Sequence, residues 1–85
     1  MNSKVIIADD HPLFREAMKQ VIPQAIPSCE MLEADSFYAL KDLLELNDDI
    51  DLLLLDLHMP GNKGFVGINL SNYLNKINKA ILAQS

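Results

Sequence analysis

Cysteine is almost absent from this chain: Cys29 stands alone and cannot form an internal disulfide. A small buried or half-buried side chain is its ordinary role, so a reducing, cytosolic setting is expected. Long hydrophobic runs are missing too, and one such as Leu52 to Leu55 is far too short to cross a bilayer. One lysine and then a strand-like segment follow the first methionine, which is not the anatomy of a signal peptide. Low-complexity tracts and internal repeats are lacking. Positive charge is scarce: 7 Lys and Arg stand against 12 Asp and Glu, a formal net charge of −5. That balance argues against nucleic-acid binding by this segment.

What is there is enough for one small domain. Of 85 residues, 49% are hydrophobic, with Leu, Ile and Val dominant, so a core can form. The acidic residues are not gathered in a tail. Glu33, Asp35, Asp42, Glu45, Asp48 and Asp49 flank one predicted helix and read as its solvated face and caps. Asp9, Asp10 and Asp56 are placed differently. The run Lys4 to Ala8 ends in Asp9-Asp10-His11-Pro12, and the run Ile50 to Leu55 ends in Asp56-Leu57-His58-Met59-Pro60-Gly61. Buried strands that end in carboxylates concentrate negative charge at one sheet edge, which is costly without a cation. Open α/β sheets bind their ligands at the carboxyl ends of their strands. The pattern points to a divalent-metal pocket with one carboxylate left for chemistry.

Lys4 to Ala8 reads as a buried strand. Asp10 or His11 can cap a helix with Pro12 at its first position. Leu13, Phe14, Ala17, Met18, Val21 and Ile22 form one apolar helical face, and Pro23 and Pro27 are expected to stop the helix. Glu30 to Ala34 reads as a brief second strand. Ser36 caps a second helix whose buried face is Phe37, Leu40, Leu43 and Leu44, with Asn47-Asp48-Asp49 at its end. Ile50 to Leu55, apolar almost throughout, suits a strand of a parallel sheet covered on both faces. After a turn-rich loop, a third helix is expected from about Phe65, with Phe65, Ile68, Leu74 and Ile77 in phase. Gly67 and the asparagines at 69, 72, 75 and 78 weaken it. Ala80 to Ala83 reads as a fourth strand. The alternation of strand and helix implies a three-layer α/β fold with a parallel sheet and right-handed crossovers.

The acidic pair after strand one, the Asp after strand three and the Asp56-x-x-Met59-Pro60-Gly61 loop together resemble the receiver domain of two-component response regulators. The Asp9-Asp10-His11-Pro12 form looks most like regulators of the LuxR or NarL type, which carry a DNA-binding helix-turn-helix after the receiver. The resemblance implies a flavodoxin-like fold with five strands ordered 2-1-3-4-5. Over residues 1–85 it accounts for strands 1–4 and helices 1–3, so the pattern is expected to be incomplete at the C-terminus, without an effector domain. None of the chain's lysines matches the family's phosphate-pairing lysine.

By that resemblance the domain is a phosphoacceptor and not an enzyme in its own right. Asp56 matches the residue that takes a phosphoryl group from a phosphohistidine of a sensor histidine kinase. Asp10, and more remotely Asp9, match the acids that hold Mg²⁺ together with Asp56, and His58 matches the position whose main-chain carbonyl adds a ligand. Ser85 stands about where the family places a hydroxyl that bonds the phosphoryl group. Blander roles exist for each: Asp10 as a helix cap, Asp56 in an Asx-turn, and His11 and His58 as surface histidines without a third zinc ligand.

Two other classes of function stay open. A haloacid-dehalogenase-like phosphohydrolase would want a second acid two residues after the nucleophile, where this chain has His58. A receiver remnant that binds partners without being phosphorylated is the stronger rival. With one helix expected on one face of the sheet and two on the other, a bare apolar patch and a homo-oligomer are also expected.

Overall fold

The computed structural model describes residues 2–60 and 77–83. Within them the order is β1 (Ser3–Ala8), α1 (Pro12–Ala25), β2 (Cys29–Ala34), α2 (Phe37–Leu46), β3 (Ile50–Asp56) and β4 (Ile77–Ala83). The expected third helix falls on residues outside this description, as does Ser85. The described strands form one sheet in the order β2-β1-β3-β4, and every pairing in it is parallel. Parallel neighbours need crossovers, and α1 and α2 supply them. Because the chain steps from β1 outward to β2 and then back across to β3, right-handed crossovers put the two helices on opposite faces. The result is the expected three-layer α/β architecture.

The face beneath α2 holds the main core. Ile6, Ala8, Leu53 and Leu55 point there and meet Phe37, Leu40 and Leu44 of α2 in one cluster that also contains Met59 and Ile77. The helix begins where it should: Ser36 is extended, and its Oγ accepts a hydrogen bond from the Ala39 amide at 3.1 Å. Side chains alternate along a strand, so Val5 and Ile7 point to the α1 face, and they too are fully buried. β1 is therefore a central strand covered on both sides.

Three expectations need correction. Pro23 does not stop α1, which runs on to Ala25, with the Ile26 amide still bonded to the Ile22 carbonyl at 2.8 Å. A proline removes only its own amide from the ladder, and in the last turn few bonds depend on it. Ile77 belongs to β4 and not to a helix: it pairs with Ile50, so β4 starts three residues earlier than expected and includes Lys79. The apolar face of α1 is less covered than its periodicity implies. None of its described residues is buried, and Leu13, Phe14 and Val21 are 85%, 43% and 50% exposed. Among the described residues, the exposed large apolar side chains are Leu13, Phe14 and Val21 of α1, Tyr38 and Leu46 of α2, and Ile81 and Leu82 of β4.

Candidate functional site

β1 and β3 are parallel neighbours, and their register pairs Ala8 with Leu55. One residue further on, Asp9 and Asp56 come side by side at the carboxyl edge of the sheet. Both are buried, at 8% and 2% exposure, and they are the two buried charged residues among those described. Each is held by the same local device. Asp9 Oδ1 accepts the His11 amide and Asp56 Oδ1 accepts the His58 amide, both at 2.9 Å. These are Asx-turns, in which a short carboxylate bonds the backbone two residues on. The blander role anticipated for Asp56 is thus present, and it coexists with burial beside a second carboxylate.

Asp10 is not the helix cap. The N-cap of α1 is His11, whose side chain makes no capping bond. Instead the His11 ring turns back over the strand ends. Its Nδ1 lies 2.5 Å from Asp9 Oδ1, 3.2 Å from Asp10 Oδ1 and 3.9 Å from Asp56 Oδ2. Asp9, Asp10, His11 and Asp56 offer ligand atoms that all lie within 4.8 Å of one another. His11 is a surface histidine as expected, more than half exposed, and its ring also faces three carboxylates. The hydrogen bond to Asp9, the charge of Asp10 and then that of Asp9 hold its pKa above the ordinary 6.5. His58 is not a member of the group.

Arg15 is the residue that sequence reasoning missed. From the first turn of α1 its Nη1 donates to the Asp9 carbonyl at 2.6 Å, while its Nε donates to Glu33 Oε1 at 3.1 Å. Glu33 in turn meets Lys19 at 3.1 Å, and Lys19 meets Glu16 at 2.7 Å. A chain of charges thus ties the backbone at Asp9 to β2. Glu33, expected to be a solvated acid, is instead the hub of this network, and its carboxyl is held below the usual 4.5 by Lys19 and then Arg15. No residue pattern signals a bond from Arg15 to a backbone carbonyl.

At β3 the loop is fixed by the core. Met59 is buried among the α2-side cluster, its amide reaches back to the Asp56 carbonyl at 3.4 Å, and the Pro60 carbonyl accepts the Phe37 amide at 2.9 Å. On the α1 side, a cavity of about 170 Å³ lies under the carboxylates, lined by Ala8, Asp9, Phe14, Met18, Leu54, Leu55, Asp56 and Ile81. Among the described residues, no helix is long and apolar enough to cross a membrane.

Hard carboxylate oxygens from two adjacent strand ends fit Mg²⁺, which takes one or two carboxylates, retains several waters and leaves room for a phosphate oxygen. Comparison with known proteins agrees with the geometry. The family model described as the response regulator receiver domain matches residues 5–82. The glycerol metabolism activator of Pseudomonas putida is 50% identical over 70 residues, covering 81% of this chain and 32% of that protein. The nitrate/nitrite response regulator proteins NarL and NarP of Escherichia coli are 40% and 38% identical, over 71% and 78% of this chain and 27% and 30% of theirs. The chain spans about a third or less of the length of these relatives. No solved structure gives a significant match.

Proposed function

This chain belongs to the response regulator receiver domain family, and on that premise we propose that it accepts a phosphoryl group on Asp56 from the phosphohistidine of a sensor histidine kinase. Asp9, Asp10 and Asp56 hold Mg²⁺, with the main-chain carbonyl of His58 as a further ligand. The observation that carries this reading is the convergence of Asp9, Asp10 and Asp56 on one point at the edge of the sheet. The assigned setting is the cytoplasm, as the receiver segment of a longer transcriptional regulator.

Asp56 supplies the nucleophile. One carboxylate oxygen attacks phosphorus in line with the imidazole nitrogen of the donor. The O–P bond forms as the P–N bond breaks, and the electron pair leaves with the imidazole. Binding of Asp56 Oδ1 to the His58 amide fixes the plane of the carboxylate, with Oδ2 on the side of the His11 ring. Mg²⁺ offsets the repulsion between an anionic nucleophile and an anionic phosphoryl group. Ser85 is assigned as a phosphate contact by its place in the chain.

The product adds a charge of roughly −1.5 to −2 to an already acidic pocket. In this 85-residue chain no lysine stands in the family's phosphate-pairing context. Incubation with phosphoramidate and Mg²⁺ is therefore expected to give a small fraction of hydroxylamine-sensitive acyl phosphate, mapped to Asp56 by mass spectrometry and absent from Asp56→Asn. Labelling at any other residue overturns the assignment.

The rival reading, an interaction module that is never phosphorylated, draws on the apolar exposure of α1 and of β4 at the sheet edge. Self-association is compatible with both readings and is part of this proposal. Sedimentation equilibrium at micromolar concentration is expected to give a dimer or larger; a folded monomer with a cooperative melt removes it.

A further inference from the structure

α1 is a 14-residue amphipathic helix in which no described residue is buried. Helices of this length draw most of their stability from packing an apolar face against something else. Successive residues turn by about 100°, so the surface of α1 divides in two. Arg15 and Lys19 turn toward β2, where each meets Glu33 at 3.1 Å. Leu13, Ala17, Val21 and Ala25 stand four apart on the other side of the helix, and all four are exposed. We infer that this ridge is the contact between two copies of the chain. α1 packs against α1 of a second copy, antiparallel about a two-fold axis, with Leu13 against Ala25 and Ala17 against Val21. The inference rests on the self-association proposed above and gives it a surface.

Three observations point to a second copy as the occupant. The first is shape. Read in opposite directions, the ridge sets leucine against alanine and valine against alanine, so large meets small at every step. A two-fold interface demands this kind of self-complementarity from a single patch. The second is charge. At a net charge of −5, two copies repel over most of their surface. α1 is the exception, because its charged residues are Arg15, Glu16 and Lys19, a net +1. Each of the three is ion-paired within its own copy, and the ridge between them and solvent carries no charge. The third is area. From Leu13 to Ala25 the ridge is about 18 Å long and one helix wide. That falls well short of the roughly 800 Å² per partner of a stable complex. It suits a reversible dimer with a dissociation constant in the micromolar range; below that range the copies are separate, and the ridge adds nothing to the stability of either.

The test is sedimentation equilibrium of the whole chain from micromolar to submillimolar concentration, with circular dichroism reporting that each variant is folded. Ala17→Glu places a carboxylate in the middle of the contact and is expected to raise the dissociation constant at least about tenfold. Ile81→Asp, on the exposed edge strand β4, is expected to leave it within about twofold. In a Cys29→Ser background, mild oxidation of Ala17→Cys mixed with Val21→Cys is expected to give a crosslinked pair, and Ala17→Cys alone to give little. A dimer that survives Ala17→Glu, or one that dissociates on Ile81→Asp alone, overturns the inference and leaves self-association standing through another surface. Crosslinking of Ala17→Cys to itself as efficiently as to Val21→Cys overturns the proposed pairing. A folded wild-type monomer across the whole range removes the ridge contact and self-association together. Ala17 lies outside the carboxylate pocket, so labelling of Asp56 is expected to persist in Ala17→Glu and is judged separately.

Discussion

The ends of β1 and β3 are built from the same turn and put to different uses. Both strands close on an aspartate whose Oδ1 takes the amide of a histidine two residues on, at 2.9 Å in each case. Beyond that point they diverge. After β3 the chain drives Met59 into the main core and ties Pro60 to the start of α2. After β1 it turns out into α1, where Leu13 is 85% exposed and the Asp9 carbonyl is braced from outside by Arg15. A local motif fixes a carboxylate's direction, but the next stretch of chain decides how firmly that carboxylate is anchored. The proposed acceptor, Asp56, sits on the end anchored by the core, and the other two proposed metal acids, Asp9 and Asp10, sit on the end anchored by surface charge.

Met59→Ala, with Leu13→Ala as its control, and then Arg15→Ala probe that contrast, the larger expected effect first. Met59→Ala is expected to cost about 2–5 kcal/mol of stability, because it empties a buried site in a packed cluster. Its counterpart Leu13→Ala, on the exposed side of the other turn, is expected to stay within about 0.5 kcal/mol. Urea melts of the two proteins check this, and equal losses would erase the difference between the two ends. Arg15→Ala takes one charged donor from the Asp9 carbonyl, a loss of about 1–3 kcal/mol at most where water does not replace it. Backbone resonances at 9–11 are expected to move while those at 56–58 hold; movement of both sets alike would mean the ends are coupled more tightly than the contacts imply.

Glu33→Gln has a modest effect and shows it through pH. The Glu33 carboxyl is depressed below the usual 4.5, first by its hydrogen bond to Lys19 and then by Arg15. A depressed carboxylate stabilises the fold above the unfolded value, and that contribution disappears as pH falls through the folded value. Wild type is therefore expected to lose stability on acidification below about 4.5 through this group, and Glu33→Gln to lose less over the same interval. Because the pair is partly solvated, the difference is modest and shrinks with salt. An unchanged acid limb in melts taken from neutral to acid pH would remove Glu33 from the network.

Much of this arrangement is legible in the residues. Two apolar runs that end in Asp, each succeeded by a helix signal or a turn, read as strands of a parallel sheet, and the resemblance to receiver domains implies that the first and third are neighbours, which brings Asp9 and Asp56 together. Ser36 marks the start of α2, and Phe37, Leu40 and Leu44 mark its buried face. The features that escape the sequence are those that depend on distant partners. Ile77 fits a helical period as well as a strand, and only its pairing with Ile50 decides the matter. Pro23 looks like a terminator because the remaining bonds of the last turn cannot be read from residue type. The face of α1 has the right period for burial, but periodicity gives direction and not coverage. Arg15 acts on a backbone oxygen, which no side-chain pattern records.

The central claim is that Asp9, Asp10 and Asp56 act as one Mg²⁺ site, and an NMR titration with MgCl₂ tests it most directly. The amides of residues 9, 10 and 56–58 are expected to shift together along a single binding curve, and Asp10→Asn is expected to abolish the response at both strand ends. Shifts confined to scattered surface acids such as Asp42, Asp48 and Asp49, or separate curves for residues 9–10 and 56–58, would contradict it.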